Sequence, residues 1–215
     1  MSHGKQFTLY NHAAGPNGWK AVFVLEELGL TYETIYLDFK SGDLKKESDA
    51  IILYIVDKYD TEKKLTVTDA DERYRLIQWL FFQASGQGPY FGQYFWFKNY
   101  HPEKVESARD RYKSEIARVR GVLESVLSKQ EWLVEGKVTI ADLSFIPWNE
   151  SVISGVLQGE DVSIDQFPAV AAWRQKLLAL DAVKKGYAER TRARTLIRVT
   201  VYYPLTLLVG SQLYR

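Results

Sequence analysis

Cysteine is absent from this 215-residue chain. That absence removes a disulfide framework, a thiolate metal site and any reaction in which the protein itself supplies a thiol nucleophile. Thiol chemistry here must use sulfur from another molecule. Histidine is scarce: His3, His12 and His101 show no ligand spacing, so no metal site is expected. An excess of one charge is also missing. Lys and Arg total 28 against 27 for Asp and Glu, so neither nucleic acid nor a membrane surface is an expected partner. Residues Met1 to Gln6 lack the basic and then apolar blocks of a signal peptide, and the expected location is cytoplasmic. The C-terminal apolar stretch is too short, and too broken by Pro204, to span a bilayer.

What is present divides into two parts. Phe7 to Tyr10 and Tyr32 to Leu37 are aromatic and β-branched runs that read as strands. Between them, Trp19, Val22, Phe23, Val24 and Leu28 recur at helical spacing before Gly29, which gives a βαβ unit with parallel strands. A further helix is expected over Glu47 to Tyr59, with Glu47 and Asp49 in the first turn, where the helix dipole favours acids. From Asp69 onward the pattern is helical. Asp71 and Glu72 open a helix through Phe81, Pro102 opens another through Val126, and Pro168 begins a last clear helix through Leu178. Thr139 and Asp142 have the spacing of a capping box. The stretch from Thr195 is β-prone and apolar, and reads as a surface-packed or poorly ordered extension, with a partner-binding or aggregation-prone segment as the alternative. The expected domains are residues 1–62 and 69–190, with an atypical tail over 191–215.

Four words in order carry a family resemblance: Gly15-Pro16-Asn17-Gly18-Trp19-Lys20, Glu47-Ser48-Asp49-Ala50-Ile51, Leu80 to Pro89, and Leu133 to Asp142. Together they resemble glutathione transferases, in the class that contains the fungal nitrogen-catabolite regulator and bacterial disulfide-reductase relatives. The resemblance implies an α/β plus all-α fold: a thioredoxin-like N-terminal domain carrying the glutathione site, packed on an all-helical domain. It also implies a homodimer that, through the thiolate of its substrate glutathione, conjugates an electrophile or reduces a peroxide or disulfide.

Carried over residue by residue, the resemblance makes Asn17 the partner of the glutathione sulfur. An amide cannot take a proton at neutral pH, but its N–H₂ at a helix start can donate to a thiolate. Asn is equally a preferred helix cap, and the residues alone leave both roles open. Glu47 and Ser48 match the pair that receives the γ-glutamyl end of glutathione. Tyr94, Trp96 and Trp148, within the aromatic group from Tyr90 to Phe97, are candidates for an electrophile pocket; such clusters also serve as plain core.

One stretch departs from the family pattern. Glutathione transferases place a helix, a cis-proline and two antiparallel strands before the Glu-Ser helix, whereas here about seven residues separate Phe39 from Glu47, a reach of roughly 25 Å at most. Pro16 is the only proline before Pro89. The N-terminal domain is therefore expected to be shortened. Two strands alone are marginal in water, so the unit has to lean on the helical domain, dimerise or remain partly unordered. The alternative to an enzyme is a catalytically silent binding or regulatory protein.

Overall fold

The computed structural model describes residues 4–37, 48–134, 136–155 and 164–202. The chain runs β1 (Phe7–Asn11), α1 (Asn17–Glu27), β2 (Tyr32–Tyr36), α2 (Ser48–Tyr59), α3 (Ala70–Phe82), a π-helical turn (Gln83–Gln87), α4 (Gly88–Asn99), α5 (Glu106–Leu127), α6 (Ile140–Gly155), a 3₁₀ turn (Ile164–Gln166), α7 (Pro168–Ala179) and α8 (Asp181–Tyr202). Strands β1 and β2 pair in parallel, Phe7 opposite Tyr32 through Asn11 opposite Tyr36. They form the whole sheet among the described residues. This is an α/β unit reduced to its first βαβ, followed by helices.

Helix α1 explains how so small a sheet persists. Every residue from Trp19 to Leu25 is buried, so this helix has no solvent face and must be covered on all sides. The strands cover one side; α2, α6 and α8 cover the others. One continuous apolar cluster runs from Leu9 and Trp19 through Leu76, Phe145 and Trp173 to Val183. Polar ties reinforce it: Tyr36 Oη donates to Glu189 Oε1 at 3.0 Å, joining β2 to α8. Of the three ways the short sheet could survive, the fold uses support from the helical part.

Helices α1 and α8 approach closely at Gly186, where a Cβ would lie 2.6 Å from the Phe23 ring. Phe23 is fully buried and has nowhere to move. We expect Gly186→Val to lower stability by about 2–3 kcal/mol, since over-packing a filled core forces rotamers and backbone off their minima. Gly121 in α5 would meet nothing within 4 Å, so Gly121→Ala is expected to stabilise by up to about 1 kcal/mol through helix propensity. Denaturant midpoints of the two variants check both signs.

Three helix readings need correction. Pro102 lies outside α5, which begins at Glu106 with Val105 as its N-cap. The Glu103 N–H donates to His101 Nδ1 at 3.1 Å, closing a turn around the proline before the helix can start. Helix α4 is an addition to the sequence reading, which takes Tyr90 to Phe97 only as an aromatic group; Pro89 falls in its first turn, where a missing N–H costs nothing. Helix α8 was also missed, and it carries helical backbone past Thr195 to Tyr202. Ala182, Val183, Arg190 and Ala193 form its buried stripe, all N-terminal to the β-prone stretch, so the helix is anchored before Thr195 and the helical backbone runs on from there. Residues 203–215, with the apolar run 205–209, lie outside the described residues.

The connection between the two parts is anchored at both ends. Buried Asp60 accepts from Lys64 N at 2.7 Å and Leu65 N at 2.8 Å. Ile140 N, at the start of α6, donates to Leu65 O at 2.9 Å. The capping box forms as its spacing implied: Asp142 Oδ2 accepts from Thr139 N at 2.9 Å, and Thr139 Oγ1 accepts from Ala141 N at 3.3 Å.

Candidate active site

The site grows from the loop between β1 and α1, at the carboxyl end of the parallel strands, where α/β folds usually place ligands. Arg190 of α8 holds this loop: its guanidinium donates to Ala13 O at 3.3 Å and Ala14 O at 2.9 Å, and lies over the Trp19 ring at 5.8 Å. His12 Nδ1 accepts from Ala14 N and Gly15 N at 3.2 and 2.9 Å. At Gly18 a Cβ would fall 2.0 Å from Asn11 Oδ1, so only glycine lets the loop fold back on the strand end.

Asn17 is the first residue of α1, and the N-cap position belongs to Pro16, with no side-chain cap bond. The amide is used differently. The Trp148 indole Nε1–H donates to Asn17 Oδ1 at 2.9 Å. An indole can only donate, so this bond fixes which end of the amide is oxygen and turns the N–H₂ away from Trp148. The ring itself rests on α4, where a Cβ at Gly88 or Gly92 would come within 3.4 or 3.2 Å of it. Asn17 thus presents two oriented donors at a helix N-terminus, whose first backbone N–H groups lack intrahelical partners.

Ser48 opens α2 and is partly buried; Glu47 lies outside the described residues. Asp49 does more than sit in the field of a helix dipole. Its carboxylate takes two hydrogen bonds from Lys20 Nζ, at 3.1 and 2.9 Å, which ties the start of α2 to the first turn of α1. Lys20 is 1% exposed. Burial pulls its pKa below the ordinary lysine value, and the Asp49 charge and hydrogen bond oppose that shift.

A third partner of the Lys20 ammonium is Gln83 Oε1, in the π-helical turn. The polar chain continues inward. Gln83 Nε2 donates to Gln87 Oε1 at 2.9 Å, and Gln87 Nε2 donates to Asn149 Oδ1 at 2.9 Å and to Phe145 O at 3.3 Å. Gln83, Gln87 and Asn149 are all buried. Sequence reasoning missed this chain, although one signal was visible: Lys20 is a single charge inside the apolar run Trp19 to Leu25.

The aromatic candidates separate. Tyr94 is 1% exposed and belongs to the core of the helical part, so it fills space instead of lining a cleft. Trp96 is 48% exposed and stacks on Tyr100, ring centroids 6.0 Å apart. Trp148 is hydrogen-bonded to Asn17. The separation follows from helical geometry, because residues two apart on α4 point to different sides.

Comparison with known proteins agrees with this fold. Residues 76–181 match the family described as the glutathione S-transferase C-terminal domain. Glutathione S-transferase 2 of Schizosaccharomyces pombe is 45% identical over 232 residues, covering 90% of this chain and 99% of that protein. Those 232 positions draw on about 194 residues here, so close to 38 positions have no counterpart in this chain, in keeping with the reduced sheet. Among solved structures, the glutathione transferase URE2P6 of Phanerochaete chrysosporium, in complex with oxidized glutathione, superposes with a TM-score of 0.84 at 53% identity, covering 90% of this chain and all of that one. Ure2p5 of the same organism, cocrystallized with 1-(S-glutathionyl)-2,4-dinitrobenzene, gives 0.81 at 44% identity, covering 90% and 98%. With its βαβ remnant, helical part and Asn17 loop, this chain belongs to the glutathione S-transferase superfamily, within the Ure2-like class.

Proposed function

We propose that this chain is a glutathione transferase in which the Asn17 amide holds the glutathione sulfur as thiolate and Trp148 forms the adjacent wall of the electrophile site. The observation that carries this reading is the Trp148-to-Asn17 hydrogen bond, because it orients the amide before any ligand arrives. Preorganised donors stabilise developing charge without reorganising during the reaction. The thiolate of bound glutathione attacks the electrophilic carbon, and the leaving group departs with the bonding pair. For chlorodinitrobenzene the new bond is sulfur to ring carbon and the product anion is chloride. Ser48, with the helix start it opens, is the proposed receiver of the γ-glutamyl carboxylate. Glu47 is the proposed partner of its ammonium. The active form is proposed as a cytoplasmic homodimer, built from units 1–62 and 69–190 with the tail 191–215.

Relatives supply the ligand class: structures of Ure2-like proteins contain oxidized glutathione or a glutathionyl dinitrobenzene. The expected result is that the purified chain is retained on immobilised glutathione and conjugates 1-chloro-2,4-dinitrobenzene. Absence of both in a folded sample rejects the enzyme. A second reading, a silent glutathione-transferase-like binding protein, is favoured by one observation. Among the described residues the sheet has two strands, without the further antiparallel pair that the family places before the Glu-Ser helix. Calorimetric titration separates the two, since saturable heat with glutathione supports the enzyme and its absence, with self-association retained, supports the binding protein.

A further inference from the structure

The polar chain that begins at Lys20 ends one residue from Trp148, and its order is directional. An ammonium has donors and no acceptor, so Gln83 must turn its oxygen toward Lys20. Its nitrogen then faces Gln87, whose oxygen is thereby engaged and whose nitrogen faces Asn149. Each amide is oriented by the one before it. The other arm of Lys20 reaches Asp49, the neighbour of Ser48. Lys20 also stands three residues after Asn17, on the same side of α1. One buried charge therefore touches, directly or through amides, each of the elements that carry Asn17, Trp148 and Ser48.

We propose that Lys20 is a positioning residue that sets the register of α1, α2 and α6 at the site, holding the Asn17–Trp148 pair and the Ser48 helix start in one arrangement. It does not touch the substrate. Its ammonium fixes the orientation of the Gln83, Gln87 and Asn149 amides, and its pair with Asp49 keeps the two helix starts side by side. Without the ammonium, Gln83 is free to turn over and the amide order reverses along the chain. The segment Phe145 to Asn149 then shifts against α1. The ligand consequence of this proposal rests on the assignment of glutathione to the Asn17 loop.

The test uses the full chain, labelled with ¹⁵N, as Lys20→Met and Gln83→Met variants. The Trp148 indole N–H resonance, identified by its loss in Trp148→Phe, reports on the bond to Asn17. Calorimetry with glutathione reports on the assembled site. In folded Lys20→Met, the indole resonance is expected to move and the glutathione Kd to rise about tenfold. Gln83→Met leaves the ion pair intact and cuts only the amide chain. It is expected to move the same resonance with about a threefold rise in Kd, and it decides the matter if Lys20→Met does not fold. An indole resonance at its wild-type position in a folded variant of either kind overturns the proposal. A shifted indole in a protein whose wild type takes up no glutathione upholds the positioning role and overturns the glutathione assignment instead.

Discussion

Asn17→Ala is expected to lower turnover with chlorodinitrobenzene by about two to three orders of magnitude and to leave stability within about 1 kcal/mol of wild type. The first number is the usual cost of deleting one preorganised donor that faces developing negative charge. The second follows because Asn17 caps nothing; only its single bond from Trp148 is lost, a net of about 1 kcal/mol. A helix cap behaves in the opposite way, losing stability with little effect on chemistry. Asn17→Asp sharpens the comparison. A carboxylate can still accept from the Trp148 indole, so the structural bond survives, but it cannot donate and it repels a thiolate. Turnover in Asn17→Asp is expected to fall at least as far as in Ala. Steady-state kinetics beside a denaturant melt of each variant checks both numbers, and an active Asn17→Asp enzyme sinks the donor role.

Asp142→Ala produces the largest loss of stability, about 4 kcal/mol or more, and in a domain of ordinary stability that leaves little folded protein at 37 °C. Asp142 is fully buried and accepts four hydrogen bonds. Oδ1 takes Leu133 N and Trp173 Nε1, both at 3.0 Å, and Oδ2 takes Thr139 N at 2.9 Å and Thr139 Oγ1 at 3.0 Å. Burial raises its pKa, and those four donors oppose the rise. Removing the carboxylate strands four buried donors, each worth about 1–3 kcal/mol when unpaired. It also frees the start of α6 from the Leu133 loop and from α7. Since α6 carries Trp148, residual activity should fall with the folded fraction. Urea unfolding read by tryptophan fluorescence measures the loss, and a change under about 1 kcal/mol contradicts this account.

Much of the fold was legible because it depends on local pattern. Aromatic and β-branched runs at Phe7 to Tyr10 and Tyr32 to Leu37, helical spacing after Trp19, and the Thr139–Asp142 spacing are properties of neighbouring residues. The secondary structure follows them closely. The missing helices show the limit of the same reasoning. Gly88 and Gly92 look like loop residues until the Trp148 ring packs on their bare backbone. The stretch after Thr195 looks β-prone, yet its backbone continues the helix that Ala182, Val183, Arg190 and Ala193 anchor in the core upstream of it. Local preference is worth tenths of a kcal/mol per residue, and burial of a large side chain is worth several times that.

At the candidate site the division is sharper. The sequence by itself determined that the protein has no thiol of its own, that a lone βαβ precedes a helical part, and that Asn17 stands at a helix start. All three depend only on composition or on residues a few positions apart. Only the tertiary structure decided that Asn17 is bound by Trp148, 131 residues away, that Asp49 answers the buried charge of Lys20, and that Tyr94 belongs to the core. Partner choice among distant side chains depends on which helix faces come together, and that is set by filling one shared interior at close packing.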